Sequence, residues 1–337
     1  MGKEHYKWID IARAIGIVAV VMGHGYHELA HHYTYWFHMP LFFILSGFLY
    51  KPLNNMGEFA SWVGKRAVRL LLPYLTFGII IYLYIELKEG FTVVSFMEDM
   101  YNLMYGGMMM KGLVTVFWFM TCLLITQIVF ALIDLIFRSH AIKIGIIILS
   151  YLFAHLYAYY QPIETPVPWS ADVTFIALSY YAFGYYIKKY IHKVLNLKTF
   201  IVTALLTIMF VIYDYKNNYF YNIDLKPNVY NHLLLDFLVP VIICFTIFYI
   251  SAQIAKFKSS VVISYIGTSA ITIMFLHRVV NDFFSHFFSY GIIGFTLIGV
   301  LTPFIFYILI KQVPFARFLF LGTRPRKKYE YVKKASA

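Results

Sequence analysis

The feature that most constrains the fold of this chain of 337 residues is a series of ten apolar stretches separated by short polar connections. The hydrocarbon core of a bilayer is about 30 Å thick, and a helix crosses it with about 20 apolar residues. Apolar residues make up 61% of the sequence and charged residues 13%, which is typical of integral membrane proteins. We therefore predict an all-α, polytopic membrane protein with about ten transmembrane helices. They are predicted at residues 8–27, 36–50, 66–87, 113–137, 141–160, 171–187, 199–213, 231–252, 260–277 and 290–310.

Lysine and arginine are distributed unequally between alternate connections. Cytoplasmic loops of membrane proteins carry an excess of these residues, and with a cytoplasmic N-terminus the inner segments hold most of them. The predicted outer loops hold only Lys88, Lys111, Lys216, Lys226 and Arg278. The pattern predicts that both termini are cytoplasmic and that loops 28–35 and 214–230 lie outside. The net charge of +12 then reflects this bias and contact with anionic lipids, and it indicates no nucleic-acid partner.

The domain organisation follows from the same pattern. A single transmembrane domain is predicted at residues 1–311, followed by a basic cytoplasmic tail at 312–337. Asp10 and Arg13 interrupt the first apolar stretch, so we interpret it as a retained helix rather than a signal peptide. Cys122 and Cys244 lie inside apolar stretches, so neither a disulfide framework nor a metal cluster is expected.

The first predicted helix carries ionisable side chains in the spacing Arg13-x10-His24. An ionisable group at mid-membrane costs roughly 2.5 to 3.5 kcal/mol even on lenient insertion scales, so it is expected to face protein or water. Eleven residues of helix turn about 1100°, which leaves Arg13 and His24 within roughly 20° of one face and about 16 Å apart along the axis. Asp10 falls in the same sector. This arrangement predicts a reaction path through the membrane.

Two further polar groups interrupt the apolar pattern. Arg66 and Arg69 lie on one face at the inner end of the third helix, where Pro73 is expected to kink it. They indicate either headgroup anchoring or a phosphate clamp, because guanidinium groups bind phosphate oxygens bidentately. His277 ends the ninth stretch on the predicted outer side, like His24, and is either an interface residue or a catalytic one.

Together these features resemble the membrane acyltransferase 3 family along essentially the whole chain. The resemblance rests on Asp10-Ile-Ala-Arg13 with the x10 spacing to His24, Leu41-Phe-Phe-Ile-Leu-Ser46-Gly47-Phe48, Arg66-Ala-Val-Arg69 with Pro73, Trp118-Phe119, and Ser264-Tyr265 through His277. The segment Phe37-His38-Met39-Pro40-Leu41-Phe42-Phe43 resembles most the fucose 4-O-acetylase-like branch of sugar O-acetyltransferases.

The resemblance implies an enzyme that moves an acyl group, expected to be acetyl, from cytoplasmic acyl-coenzyme A to a carbohydrate hydroxyl at the outer side of a bacterial plasma membrane. It implies no metal, and a homo-oligomer or a glycan-synthesis partner stays open. His24 is expected to be the general base, since imidazole titrates near neutral pH, with His277 as a second catalytic residue. Arg13, Arg66 and Arg69 are expected to bind the donor phosphates. Expected orienting residues are Asp10, Ser46, His38, Trp118 and Tyr265.

Two other classes of protein remain as alternatives at this point. The segment His27-Glu28-Leu29-Ala30-His31 matches the H-E-x-x-H pattern of zinc metalloproteases, although five histidines crowd residues 24–38 and no third ligand is evident. Ten helices with interior charges are also compatible with an exporter of polysaccharide or lipid-linked glycan, although no paired inverted halves are visible.

Overall fold

A computed structural model describes residues 6–163 and 165–323. These residues form helices, with one isolated antiparallel bridge between Asp224 and Val229 and no named strand among them. Glu164 and the part of the predicted basic tail that contains Arg324, Arg326, Lys327 and Lys328 lie outside the described residues. The α-helices are α1 (Lys7–Gly23), α2 (Glu28–Tyr35), α3 (His38–Phe48), α4 (Met56–Glu89), α5 (Val93–Tyr105), α6 (Trp118–Ile136), α7 (His140–Tyr160), α8 (Thr174–Ile187), α9 (Ile191–Val194), α10 (Leu197–Lys216), α11 (Leu235–Ile254), α12 (Val261–Thr268), α13 (Ala270–Ser285), α14 (Ile292–Gln312) and α15 (Pro314–Leu321). Short 3-10 helices lie at Gly107–Met109, Gly112–Phe117, Pro168–Ser170, Lys188–Tyr190 and Lys258–Ser260.

Each predicted apolar stretch is helical over most of its length, the ninth being divided between α12 and α13, and the all-α prediction is confirmed for the described residues. In the part of the chain that the structure describes, six helical segments are long and apolar enough to cross a membrane, namely α4, 112–136 ending in α6, α7, α10, α11 and α14. The segment 258–268 and α13 pass the same test as a pair bent by 68°, which gives up to seven. The count of ten and the orientation of the termini remain predictions.

Three predicted spans are short helices buried among the longer ones. Helices α1, α3 and α8 contain 17, 11 and 14 residues, and most of their side chains are enclosed by protein. A helix in this position needs an apolar surface on all sides, which explains why its sequence resembles a lipid-facing span. The helix that ends next to His24 is therefore at the centre of the fold.

Close packing of α3 on α8 depends on two glycines. A methyl group on Gly47 would overlap with the carbonyl oxygen of Tyr181, and one on Gly184 would overlap with that of Ile44. Each helix thus contributes a glycine at the point where the backbone of the other approaches. Small residues of this kind let helix backbones approach closely where lipid offers no hydrophobic drive for association.

Contacts between segments that are distant in the sequence stabilise each end of the bundle, the predicted inner end and the predicted outer end. At the predicted inner end, Lys7 Nζ donates to the carbonyl oxygen of Phe257, 3.1 Å away, and the backbone of Gly322, just after α15, lies against that of Arg69 on α4. At the predicted outer end, Lys88 pairs with Asp282 at 3.0 Å. Arg13, in the first half of α1, is within electrostatic reach of Arg69, so the first helix begins at the end where Arg69 lies.

Candidate active site

His24 is the residue that directly follows α1, and its hydrogen bonds define its tautomer. Its Nδ1 lies 2.8 Å from the carbonyl oxygen of Val20. Because a carbonyl oxygen only accepts, Nδ1 is the donor, and Nε2 of the neutral ring carries no proton. The hydroxyl of Tyr35 lies 3.4 Å from this Nε2. The ring is thereby held with its basic nitrogen directed away from its own helix.

His277 on α13 lies against His24, with the ring centroids 5.1 Å apart. Its Nδ1 is 3.0 Å and 2.9 Å from the carbonyl oxygens of Ile273 and Met274, so its Nε2 is also the unprotonated nitrogen. That Nε2 is buried and has no hydrogen-bond partner among the described residues. The bend between α12 and α13 brings this ring to the end of α1.

A cavity of about 250 Å³ opens beside His24. Three of the residues predicted as catalytic or orienting line it, namely His24, His38 and Trp118. His38 is buried and its Nδ1 donates to the carbonyl oxygen of Thr34 at 2.6 Å. The other lining residues are Val20, Tyr35, Met39, Gly112, Thr115, Val116, Asp224, Lys226, Met274 and Arg278.

The loop 217–234 covers one side of this first cavity. Lys226 Nζ donates to the carbonyl oxygens of Met110 at 2.6 Å and Thr115 at 3.2 Å, and to Thr115 Oγ1 at 2.7 Å. Burial lowers the pKa of Lys226 to about 8, against the opposing effect of the Asp224 carboxylate. Burial also raises the pKa of Asp224 from its ordinary value. Lys226 therefore fastens the loop to residues 110–115 on the opposite wall of the cavity.

A second cavity, of about 280 Å³, shares His24 and Arg278 with the first. We call it the outer cavity, because its remaining walls come from the predicted outer connection after residue 277 and from the predicted outer ends of neighbouring spans, and we call the first one the inner cavity. Those walls are Tyr26, Leu113, Asn281, Asp282, Ser285, Phe288, Ser289, Tyr290 and Phe295. His24 and Arg278 thus stand where the two cavities meet.

The predicted donor-binding arginines lie together at the other end of α1. Arg13 donates to Asp10 at 2.9 Å, and the charges of Arg13, Arg66 and Arg69 are close enough to repel one another. Arg66 also stacks over the ring of Trp62, with its guanidinium carbon 5.4 Å from the centroid. Arg69 is exposed. Such a group of cations is suited to a polyanion, because phosphate oxygens would relieve their mutual repulsion.

Two of the predicted orienting residues lie elsewhere. The hydroxyl of Ser46 accepts a hydrogen bond from Gln127 Nε2 at 2.8 Å and lines neither cavity. Tyr265 is exposed, and its ring lies 5.0 Å from the ammonium of Lys311. The structure therefore does not bring Ser46 or Tyr265 together with His24.

Sequence reasoning missed most of the polar residues of the cavity walls, among them Arg278, Lys226, Asp224 and Tyr35. Arg278 had a signal, because it follows His277 directly in a stretch that is otherwise apolar. Lys226 and Asp224 had no such signal in the sequence, because their position depends on how the loop 217–234 folds back over the bundle.

The H-E-x-x-H segment does not form a helical pair of ligands. His27 is the N-cap of α2 rather than a residue within it, and the Nδ1 of His31 lies 2.9 Å from the carbonyl oxygen of Gly23. Within 6–163 and 165–323, no group of three or more His, Cys, Asp or Glu side chains is arranged to hold a metal ion.

The buried helices, the paired histidines and the two cavities that share His24 and Arg278 give a helical membrane protein with a candidate site among its buried helices. The family model described as an acyltransferase domain matches residues 6–311, and the chain belongs to that family, acyltransferase 3. The chain is also 37% identical over 78 residues to nodulation protein NolL of Mesorhizobium japonicum, a match that covers 20% of this chain and 21% of NolL. No solved structure matches the chain.

The family confirms the resemblance seen in the motifs, although it does not test the fucose 4-O-acetylase-like branch. It also establishes that the chain is a membrane acyltransferase with an acyl donor and an acceptor substrate. The match to NolL is confined to about a fifth of that protein's length, so it adds no substrate.

Proposed function

We propose that this protein transfers an acyl group, most simply acetyl, from acyl-coenzyme A to a hydroxyl of a cell-surface or lipid-linked carbohydrate, within a bacterial plasma membrane. The observation that carries the proposal is the unprotonated Nε2 of His24 at the junction of two cavities. A general base must reach the proton that it removes, and this nitrogen is directed away from α1 while Nδ1 is fixed on Val20.

The proposed reaction needs only the chemistry of an imidazole. The acceptor hydroxyl lies in the outer cavity and gives its proton to His24 Nε2 while its oxygen attacks the carbonyl carbon of the thioester. The tetrahedral intermediate then collapses, the C–S bond breaks, and the coenzyme A sulfur takes the proton back from His24. The ester and free coenzyme A leave, and His24 is again neutral.

The donor is proposed to reach His24 along α1 from the cytoplasmic side. Its phosphates would contact Arg66 and Arg69, together with Arg13, whose guanidinium is half-buried and already oriented by Asp10. About 16 Å of helix separates Arg13 from His24, a distance that an extended pantetheine arm can span. The thioester would then enter the inner cavity beside His38 and Trp118.

His277 is proposed to support His24 during transfer. When His24 takes the acceptor proton it becomes a cation in a site with little water, where a charge without a partner is costly. The unpartnered Nε2 of His277 can accept a hydrogen bond from that cation. His38 and Trp118 shape the wall against which the thioester lies.

The direct test is a transfer assay with the full-length protein in lipid nanodiscs. Radiolabelled acetyl-coenzyme A is supplied with a panel of neutral and acidic saccharides, and labelled ester is separated from labelled acetate. Ester formation that requires the protein supports the proposal. Absence of ester with every acceptor, together with transport of labelled glycan across sealed vesicles, would favour the exporter instead.

A further inference from the structure

Arg278 stands one residue after His277, and its guanidinium faces both cavities beside His24. The side chain is half-buried, and its Nε is enclosed without any hydrogen-bond partner in the described part of the chain. The ionisable groups that interact with it electrostatically include the hydroxyls of Tyr26 and Tyr35, which carry no charge at neutral pH. No carboxylate of the described residues forms an ion pair with Arg278.

The two carboxylates that line the cavities are already engaged. Asp282 pairs with Lys88 at 3.0 Å and accepts from the hydroxyl of Tyr84 at 2.8 Å. Asp224 accepts from the backbone N–H of Lys226 at 3.2 Å and faces the positive charge of the same residue. The charge of Arg278 therefore lacks a counter-charge at the junction.

A half-buried guanidinium without a nearby anion is incompletely compensated, because its partial desolvation is offset only by close, well-oriented partners. The planar fork of arginine is matched best by a carboxylate or a phosphate, each of which accepts two parallel hydrogen bonds. Arg278 thus has the unpaired charge and the planar donor group that are typical of an anion-binding residue.

The outer cavity around it has the composition of a saccharide site. Aromatic side chains form part of its wall and can pack on the apolar face of a sugar ring, while serine hydroxyl groups can accept hydrogen bonds from sugar hydroxyls. The aromatic residues are Tyr26, Phe288, Tyr290 and Phe295, and the hydroxyl residues are Ser285 and Ser289. Asn281 is buried and its amide already bonds His277, Phe295 and Tyr290.

We infer that Arg278 binds an anionic group of the acceptor, so that the acceptor is an acidic saccharide bearing a carboxylate or a phosphate rather than a neutral one. The inference rests on the proposed function, since it takes His24 as the base that receives the acceptor hydroxyl. Binding of the anion at Arg278 would fix the sugar with one hydroxyl at Nε2 of His24.

The test measures binding without any acyl donor, on the purified full chain in nanodiscs, by isothermal titration calorimetry. Three glucose derivatives serve as probes and differ mainly at C6, namely methyl β-D-glucopyranoside, methyl β-D-glucuronide and D-glucose 6-phosphate. The carboxylate and phosphate probes identify which anion the site prefers. We expect at least one of them to bind about tenfold or more tightly than the neutral glucoside, in line with charge-assisted hydrogen bonds.

Arg278→Gln should abolish this preference, and Arg278→Lys should retain part of it because the charge remains without the fork. Lys216→Gln removes the same charge from an exposed residue that lines neither cavity and should leave the preference intact. The Arg278→Lys variant also keeps the experiment decisive if the glutamine variant does not fold.

Absence of any preference for an anionic probe in the wild-type protein, whether all three bind alike or none binds, overturns the inference. The inference is also overturned if the preference for an anionic probe is as strong in the Arg278→Lys and Arg278→Gln variants as in the wild-type protein. If the preference holds but no ester forms in the transfer assay, the anion site stands and acyl transfer to such saccharides is rejected.

Discussion

The imidazoles of His24 and His277 lie with their centroids 5.1 Å apart, and in each ring Nδ1 faces a carbonyl oxygen of its own helix while Nε2 is left unprotonated. The residues come from α1 and α13, which are far apart in the sequence. Each helix supplies the hydrogen bond that selects the tautomer, so the pair presents two basic nitrogens at one place.

His24→Ala should abolish transfer while leaving donor binding nearly unchanged. General bases contribute about 10² to 10⁴-fold, and the loss should fall on kcat and kcat/KM together, because proton transfer occurs only in the transition state. Activity of the wild type should fall at acid pH, since only the neutral ring accepts a proton. Steady-state kinetics and coenzyme A titration measure both effects.

The matched control is His27→Ala, which changes an exposed histidine three residues away. It should retain near-normal transfer. A folded His24→Ala protein with normal turnover would remove His24 from the mechanism, and loss of activity at His27 instead would favour the zinc alternative.

His277→Asn should lower kcat by less than His24→Ala does. The substitution removes the acceptor nitrogen proposed to stabilise the protonated His24, and hydrogen bonds to charged groups contribute about 1.5 to 3 kcal/mol, or about 10- to 100-fold. Acceptor KM should change little. An equal collapse of kcat for both variants would assign His277 a direct role in proton transfer, and unchanged kcat would show that its Nε2 is not used.

Much of the fold could be predicted from apolar length, because each of the ten stretches is helical. What length could not separate is a lipid-facing helix from a buried one. Helices α1, α3 and α8 are apolar because protein surrounds them, and their 11 to 17 residues are too few for the usual span. The pattern of hydrophobicity is the same in both environments, so the number of spans is not fixed by it.

The candidate site was predictable at His38 and Trp118 through the family motifs, and at three further residues because a polar side chain interrupts an apolar stretch. His24, His277 and Arg13 have this signal, and the structure assembles the two histidines across α1 and α13. Ser46 and Tyr265 belong to matched motifs, yet the first bonds Gln127 and the second faces Lys311. Lys226 depends on a loop contact with Met110 and Thr115, which no local pattern encodes.

Replacing Gly47 or Gly184 with alanine should destabilise the protein, because the added methyl group overlaps with backbone atoms of the facing helix. Overpacking of this kind typically costs about 1 to 3 kcal/mol. Thermal unfolding in detergent, followed by tryptophan fluorescence, should show a lower midpoint for each variant. Gly145→Ala is the control, since no atom lies within 4 Å of the added carbon. Equal midpoints for all three variants would contradict the close α3–α8 packing.

The predicted orientation can be tested with single cysteines in a background that lacks Cys122 and Cys244. Glu28→Cys and Lys216→Cys are exposed at the predicted outer end, and Lys258→Cys at the inner end. A membrane-impermeant maleimide should label the first two in intact cells and the third only after permeabilisation. The reverse pattern would invert the topology and place the arginine group outside.

Arg66→Lys and Arg69→Lys should weaken coenzyme A binding although the charge is kept. The ammonium group of lysine cannot bind two phosphate oxygens bidentately as a guanidinium does. Loss of a charge-assisted hydrogen bond should raise the Kd about 10- to 100-fold. Lys65→Gln is the control, because it alters an exposed cation beside the pair. Calorimetric titration of coenzyme A against dephospho-coenzyme A, which lacks the 3′-phosphate, would show which phosphate each arginine holds. If both lysine variants keep the wild-type Kd, the arginines act as headgroup anchors and the donor route along α1 must begin elsewhere.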